Sequence, residues 1–147
     1  MNTAAPAPEH QDDLQRMLNE LVQGTGTSYG VVFGTHGLHL FRAGELDQVG
    51  AESVTAILTN VLLLSRGAGR LTSQGGVETI VVRYRSGALV LAPLGTSFGL
   101  GLFTDDVAEL RQIAYAIAHF TTQTAYLLPQ DVMSSQAGPL PKREVSR

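Results

Sequence analysis

The sequence predicts an α/β sandwich in which a five-stranded antiparallel sheet carries helices one and three on one face and helix two on the other. Three observations carry this reading. Apolar residues recur at helical spacing in three stretches and strand-like runs occur in five, in the order αββαβββα. The strands are apolar on both faces: Val77, Thr79 and Val81 alternate with Glu78, Ile80 and Val82, and residues 89–91 and 100–103 are almost continuously apolar. At 147 residues and 44% hydrophobic, the chain has room for one core of ordinary size.

Each element has its own signal. Asp12 and Asp13 precede Leu14, Met17, Leu18, Leu21 and Val22, an i, i+3, i+4, i+7 stripe with acids in its first turn, and Gly24 ends it. Residues 29–35 and 38–42 are β-rich runs joined at His36 and Gly37, a hairpin, and residues 44–47 turn the chain. From about residue 49 to residue 66, Val54, Ile57, Leu58, Val61 and Leu62 form the packed face of helix two, which Gly67 and Gly69 are expected to stop. Residues 77–84 and 88–94 flank Arg85, Ser86 and Gly87 as a second hairpin, and residues 98–104 form the fifth strand. Asp105 or Asp106 can cap helix three, whose stripe is Leu110, Ile113, Ala114, Ile117 and Phe120 and whose end is set by Pro129. Residues 1–9 and 130–147 read as flexible tails around a domain of residues 10–129.

Composition removes several functions. A formal charge of -3 offers no general attraction to nucleic acid or to an anionic membrane. Lys142 is the only lysine, so phosphate loops and Schiff bases lose their usual side chain. With no cysteine there is no disulfide, thiolate zinc site or cysteine nucleophile. Residues 1–8 lack the basic and apolar parts of a secretory signal, so a cytoplasmic location is expected. The longest uncharged helical stretch, residues 53–65, falls short of the roughly 20 residues that span a bilayer.

Two G-x-S-x-G matches, around Ser28 and Ser97, invite a hydrolase reading, and Asp105 and His119 follow them in a triad's order. A nucleophile elbow needs a strand-to-helix turn. Ser28 instead follows a helix and Ser97 joins two strands, so both are turns and the chain is not expected to be an enzyme. Among His10, His36, His39 and His119 only the middle two are close, in a hairpin without a third ligand, so no metal is expected. The G-x-G starts at Gly24, Gly67 and Gly99 are followed by Tyr29, Thr72 and Thr104 where a dinucleotide loop needs a small residue, so no cofactor is expected. Arg66 with Arg70, and Arg83 with Tyr84 and Arg85, are small basic clusters suited to solvated loop ends or to an acidic protein partner. Tyr115, His119, Thr122 and Tyr126 share the outer face of helix three.

Helix two is the informative segment. Opposite its packed face lie Ser53, Ala56, Thr59, Asn60 and Leu63, and no charge occurs between Glu52 and Arg66. A freely solvated face is usually charged, and so small a domain cannot bury a helix all round, so the expected cover is a second copy in a homodimer.

The element order, with V-V-F-G-T-H-G-L-H-L (residues 31–40), L-S-R-G-A-G-R (64–70) and E-T-I-V-V-R-Y-R-S-G-A-L-V-L-A-P-L-G (78–95), resembles the Roadblock family. That resemblance implies profilin-like layering and a noncatalytic homodimer that binds a Ras-like small GTPase, stimulating its hydrolysis or acting only as a scaffold. It further implies a dimer seam through helix two and the third strand, with Val54, Ile57, Leu63, Thr79, Ile80 and Val81 in it. Ser53, Ala56, Asn60, Leu63 and Arg66 then face the GTPase. Many relatives have Asp-Gly in the first hairpin where this chain has His36-Gly37. The alternative function is a profilin-like or PAS-like sensor of a small ligand, which needs a cavity with convergent polar groups.

Overall fold

Side chains along the strands alternate between two apolar cores, and that alternation calls for a helical layer on each side. The computed structural model describes Pro6, residues 8–105 and residues 110–128. Its elements are α1 (Pro8–Thr25), β1 (Tyr29–Gly34), β2 (His39–Gly44), α2 (Gln48–Leu71), β3 (Ile80–Tyr84), β4 (Gly87–Leu94), β5 (Phe98–Thr104) and α3 (Leu110–Thr124). The five strands form one antiparallel sheet in the order β2-β1-β5-β4-β3.

On one face Val32, Val90, Ala92, Leu100 and Leu102 pack with Leu14, Leu18 and Leu21 of α1 and Ile113, Ile117 and Phe120 of α3. On the other, Val31, Phe33, Leu89 and Leu91 pack with Leu58 and Leu62 of α2. Burying a leucine such as Leu58 contributes about 2 kcal/mol. The α/β/α layering is therefore the one the sequence predicts, with α1 and α3 together and α2 opposite. Glycines in β5 make room for the second core. A Cβ on Gly99 would lie 2.5 Å from the Phe33 ring, and one on Gly101 would lie 2.5 Å from Leu58 Cδ1.

The first hairpin closes with Gly37 at φ 89°, a conformation that His36-Gly37 supplies as readily as Asp-Gly. Four expectations change. Helix α1 starts at Pro8 and runs to Thr25, so Pro8 and Glu9 belong to it, and Pro6 is buried with its carbonyl accepting from Gln11 Nε2 at 2.7 Å. Helix α2 does not stop at Gly67 but continues through Gly69 to Leu71, where Thr72 caps it. Glycine costs only about 1 kcal/mol inside a helix, and Gly69 is needed because its missing Cβ would meet the Gly75 carbonyl at 2.5 Å. Strand β3 begins at Ile80 rather than Val77, which leaves Thr79 before the strand, and β3 is half-exposed where both faces were expected to be covered. Ala114 of the α3 stripe is exposed, and α3 ends at Thr124 with Leu127 and Leu128 buried beyond it. Asp106, Pro129 and residues 130–147, Lys142 included, lie outside the described residues.

Candidate functional site

Helix α2 starts at Asp47, whose Oδ1 accepts from the Gly50 N–H at 2.7 Å, and lays Ala51, Thr55, Leu58, Thr59 and Leu62 against the sheet. The buried face is turned by about one residue from the expected one. Thr59, assigned to the outer face, is buried, and Ile57, assigned to the packed face, is 61% exposed. Hydrophobicity alone could not rank a threonine above an isoleucine for burial. The hydroxyls of Thr55 and Thr59 are buried without a hydrogen-bond partner.

The outer face of α2 gathers what the inner one leaves. Ser53, Ala56 and Asn60 are exposed, as are Val49, Leu63, Leu64 and Leu71. Ile57, Leu64 and Leu71 follow one another at i+7, so they form a single stripe along the helix. Seven of the ten large exposed hydrophobics among the described residues lie on α2 and β3: Val49, Ile57, Leu63, Leu64, Leu71, Val81 and Tyr84. Half-buried Val54 and Val61 of α2 and Ile80 and Val82 of β3 pack against the same α2-side core, whereas Val81, paired with Val90, faces the other side of the sheet. Of the residues assigned to the dimer seam, Ile57, Leu63, Thr79 and Val81 are exposed, whereas Val54 and Ile80 are half-buried in the domain's own core.

Strand β3 is also an edge. It pairs with β4 on one side, and among the described residues no strand pairs with its other side. A row of unpaired backbone groups beside an apolar patch is a template for a further strand. Of the residues assigned to a GTPase, Arg66 alone carries charge. It is half-buried, donates Nη1 to the Thr96 carbonyl at 3.3 Å, and has its pKa lowered by burial and by the nearby Arg70 cation. The 24-residue helix does reach the length and apolarity of a membrane-span candidate, which the shorter expected helix did not, but its inner face is packed on the sheet.

The other sequence signals land away from this surface. Ser97 is buried in the β4–β5 turn, where its carbonyl accepts from Thr35, and Ser28 donates its N–H to the Phe103 carbonyl at the other end of β5. The two serines are thus turn residues at opposite ends of a strand. His119 and Tyr115 line a groove of about 360 Å³ between α1 and α3, with Met17, Leu21 and Phe120. Tyr126 is exposed and meets His10 edge to face at 6.4 Å.

The fold is a profilin-like sandwich with an unguarded sheet edge at β3 and a helix beside it that carries no charge between Glu52 and Arg66. The chain belongs to the Roadblock/LC7 domain family, whose model matches residues 13–104. It is similar to the crystal structure of a Roadblock/LC7 domain from Streptomyces avermitilis, with 24% identity over 72% of this chain and 92% of that one and a TM-score of 0.63. Myxococcus xanthus MglB superposes with a TM-score of 0.70 over 86% of this chain and 98% of its own, at 10% identity. Acanthamoeba castellanii profilin II shares the layering at a TM-score of 0.50 and 13% identity, over 75% of this chain and 98% of that one. Among proteins of curated function, none matches the chain.

Proposed function

We propose that this chain is a noncatalytic homodimeric regulator that binds a Ras-like small GTPase in the cytoplasm, as a stimulator of GTP hydrolysis or as a scaffold. The observation that carries the proposal is the concentration of exposed apolar side chains on α2 and β3, with no charge between Glu52 and Arg66. Two copies joined along β3 hide both open edges and bring their α2 helices side by side on one face of a continuous sheet. Ile57 and Val81 belong to that seam, helped by Val54, Thr79 and Ile80. Ser53, Ala56, Asn60, Leu63 and Arg66 remain on the upper surface, which a dimer doubles into one platform.

A GTPase loop ordered by the γ-phosphate has a different shape after hydrolysis, so a platform that touches it distinguishes the two states. The test is calorimetry with a Ras-like GTPase from the same genome, loaded with a nonhydrolysable GTP analogue or with GDP. Binding should favour one form and be lost in Asn60→Arg. Equal affinity for both forms would remove the switch-reading role, and undiminished binding by Asn60→Arg would move the interface off α2. The sensor alternative draws less support, because the groove between α1 and α3 lies open to solvent, although Glu20, Gln112, His119 and Gln123 line it beside Met17, Leu21 and Phe120.

A further inference from the structure

The C-terminal end of α2 carries two arginines that the helix does not use. Lysine and arginine in a last turn ordinarily serve the terminal carbonyls, but here three of the last four are taken by the chain that follows. Ala68 O accepts from the backbone N–H and the Oγ1 of Thr72, Gly69 O accepts from Gln74, and Arg70 O accepts from Ser73. The Arg70 guanidinium instead lies over Gly67, with Nη2 3.9 Å from where a Cβ on that glycine would stand. Arg66, one turn earlier, reaches the β4–β5 turn at Thr96. No aspartate or glutamate among the described residues forms an ion pair with either arginine. Two cations that repel one another are thus held together, one of them half-buried, at the margin of the apolar Leu63 and Leu71.

We propose that Arg66 and Arg70 form a docking corner for an acidic segment of a protein partner, two carboxylates taken by two guanidinium groups. The proposal rests on α2 being the partner-facing helix, and it names the chemistry that the partner must present there. Carboxylate fits better than phosphate for a physical reason. The main-chain groups of α2 at this corner are carbonyls at the negative end of a helix dipole, which opposes two charges concentrated on one phosphate more than the same two spread over separate planar carboxylates, each matching one guanidinium fork. The corner also lies on the flank of α2 that meets the β4–β5 turn, away from the β3 edge, so the proposed dimer leaves it open. A charged corner at the end of the uncharged stretch that follows Glu52 orients a partner that apolar contact alone would let slide.

The experiment uses the full chain and an acetylated hexaglutamate amide as probe, with the Nε–Hε signals of Arg66 and Arg70 followed by NMR beside those of Arg83 and Arg85. Saturable shifts confined to Arg66 and Arg70 are expected, abolished by salt at about 0.5 M. Arg70→Gln, which alters no hydrogen bond of the fold, should weaken the probe about tenfold. Equal movement of Arg83 and Arg85 would overturn the proposal, as would inorganic phosphate saturating the same signals at lower concentration than the peptide. The two readings fail separately. Hexaglutamate binding without GTPase binding would remove the GTPase and keep the corner, while GTPase binding unchanged in an Arg66→Gln, Arg70→Gln double variant would do the reverse.

Discussion

The two edges of the sheet are treated in opposite ways. Strand β2 is bracketed by helices: Gln15 of α1 donates Nε2 to the Arg42 carbonyl at 2.9 Å, and the Arg42 side chain reaches Gln48 at the start of α2 at 2.6 Å. Leu40 and Phe41 of the same strand pack against the core shared by α1 and α3. Strand β3 has β4 as its one strand neighbour among the described residues and no side-chain guard on its outer edge there, and Val81, Arg83 and Tyr84 stand exposed on it. An unprotected edge invites pairing, and most soluble domains blunt both of theirs. That this one blunts a single edge, and places its barest helix beside the other, points association to one side of the molecule.

The largest expected effect separates the edges directly. Val81→Asp places an unpaired carboxylate in the proposed seam without touching the domain core, so self-association should weaken about a hundredfold, or about 3 kcal/mol. His39→Asp on β2 should leave it unchanged. Sedimentation equilibrium reads both, and a wild-type chain that is monomeric at micromolar concentration would refute the seam. Next, Gly101→Ala drives a methyl into Leu58 and lifts α2 from the sheet, which should cost about 2 kcal/mol of folding stability in denaturant titration. Gln15→Ala strips β2 of its side-chain guard. A loss of about 1 kcal/mol is expected, with higher oligomers appearing at high concentration, and an unchanged mass distribution would show that α1 covers the edge without it. The smallest effect has the opposite sign. Thr55→Val removes a buried hydroxyl that has no partner and should stabilise the monomer by about 1 kcal/mol while leaving association as it was.

Periodicity made most of this architecture readable in the sequence. The three helical stripes, both hairpins and the layer assignment need only the alternation of apolar and polar residues, and the packing of Leu14, Leu58 and Ile113 follows it. What the sequence concealed depends on contacts between distant segments. Gly69 looks like a helix stop, but it is a point of close approach for Gly75, and only the folded loop reveals that. The burial of Thr59 and the exposure of Ile57 turn on where α2 crosses the sheet, which no local pattern encodes. Val77 looks like the start of β3 because it is β-branched and apolar, yet it serves the α2-side core from outside the strand. The uncharged face was visible beforehand, whereas that Arg66 and Arg70 do not serve the helix end required knowing which carbonyls Thr72, Ser73 and Gln74 had already taken.

Strand β5 joins two hairpins that otherwise never touch edge to edge, since β1 and β4 each pair with it and not with each other. It is also the last of the described strands, and its contact with β1 links Phe33 to Gly99 across most of the domain's length. On a ribosome, the α1–β1–β2 unit and the α2–β3–β4 unit must therefore wait as separate half-sheets until Thr104 has emerged. The inner edges of β1 and β4 stay unpaired throughout that interval. Non-local pairing of this kind is slow and exposes strand edges to other chains, so the domain's vulnerable moment in a cell comes during its synthesis, before β5 arrives to close the gap.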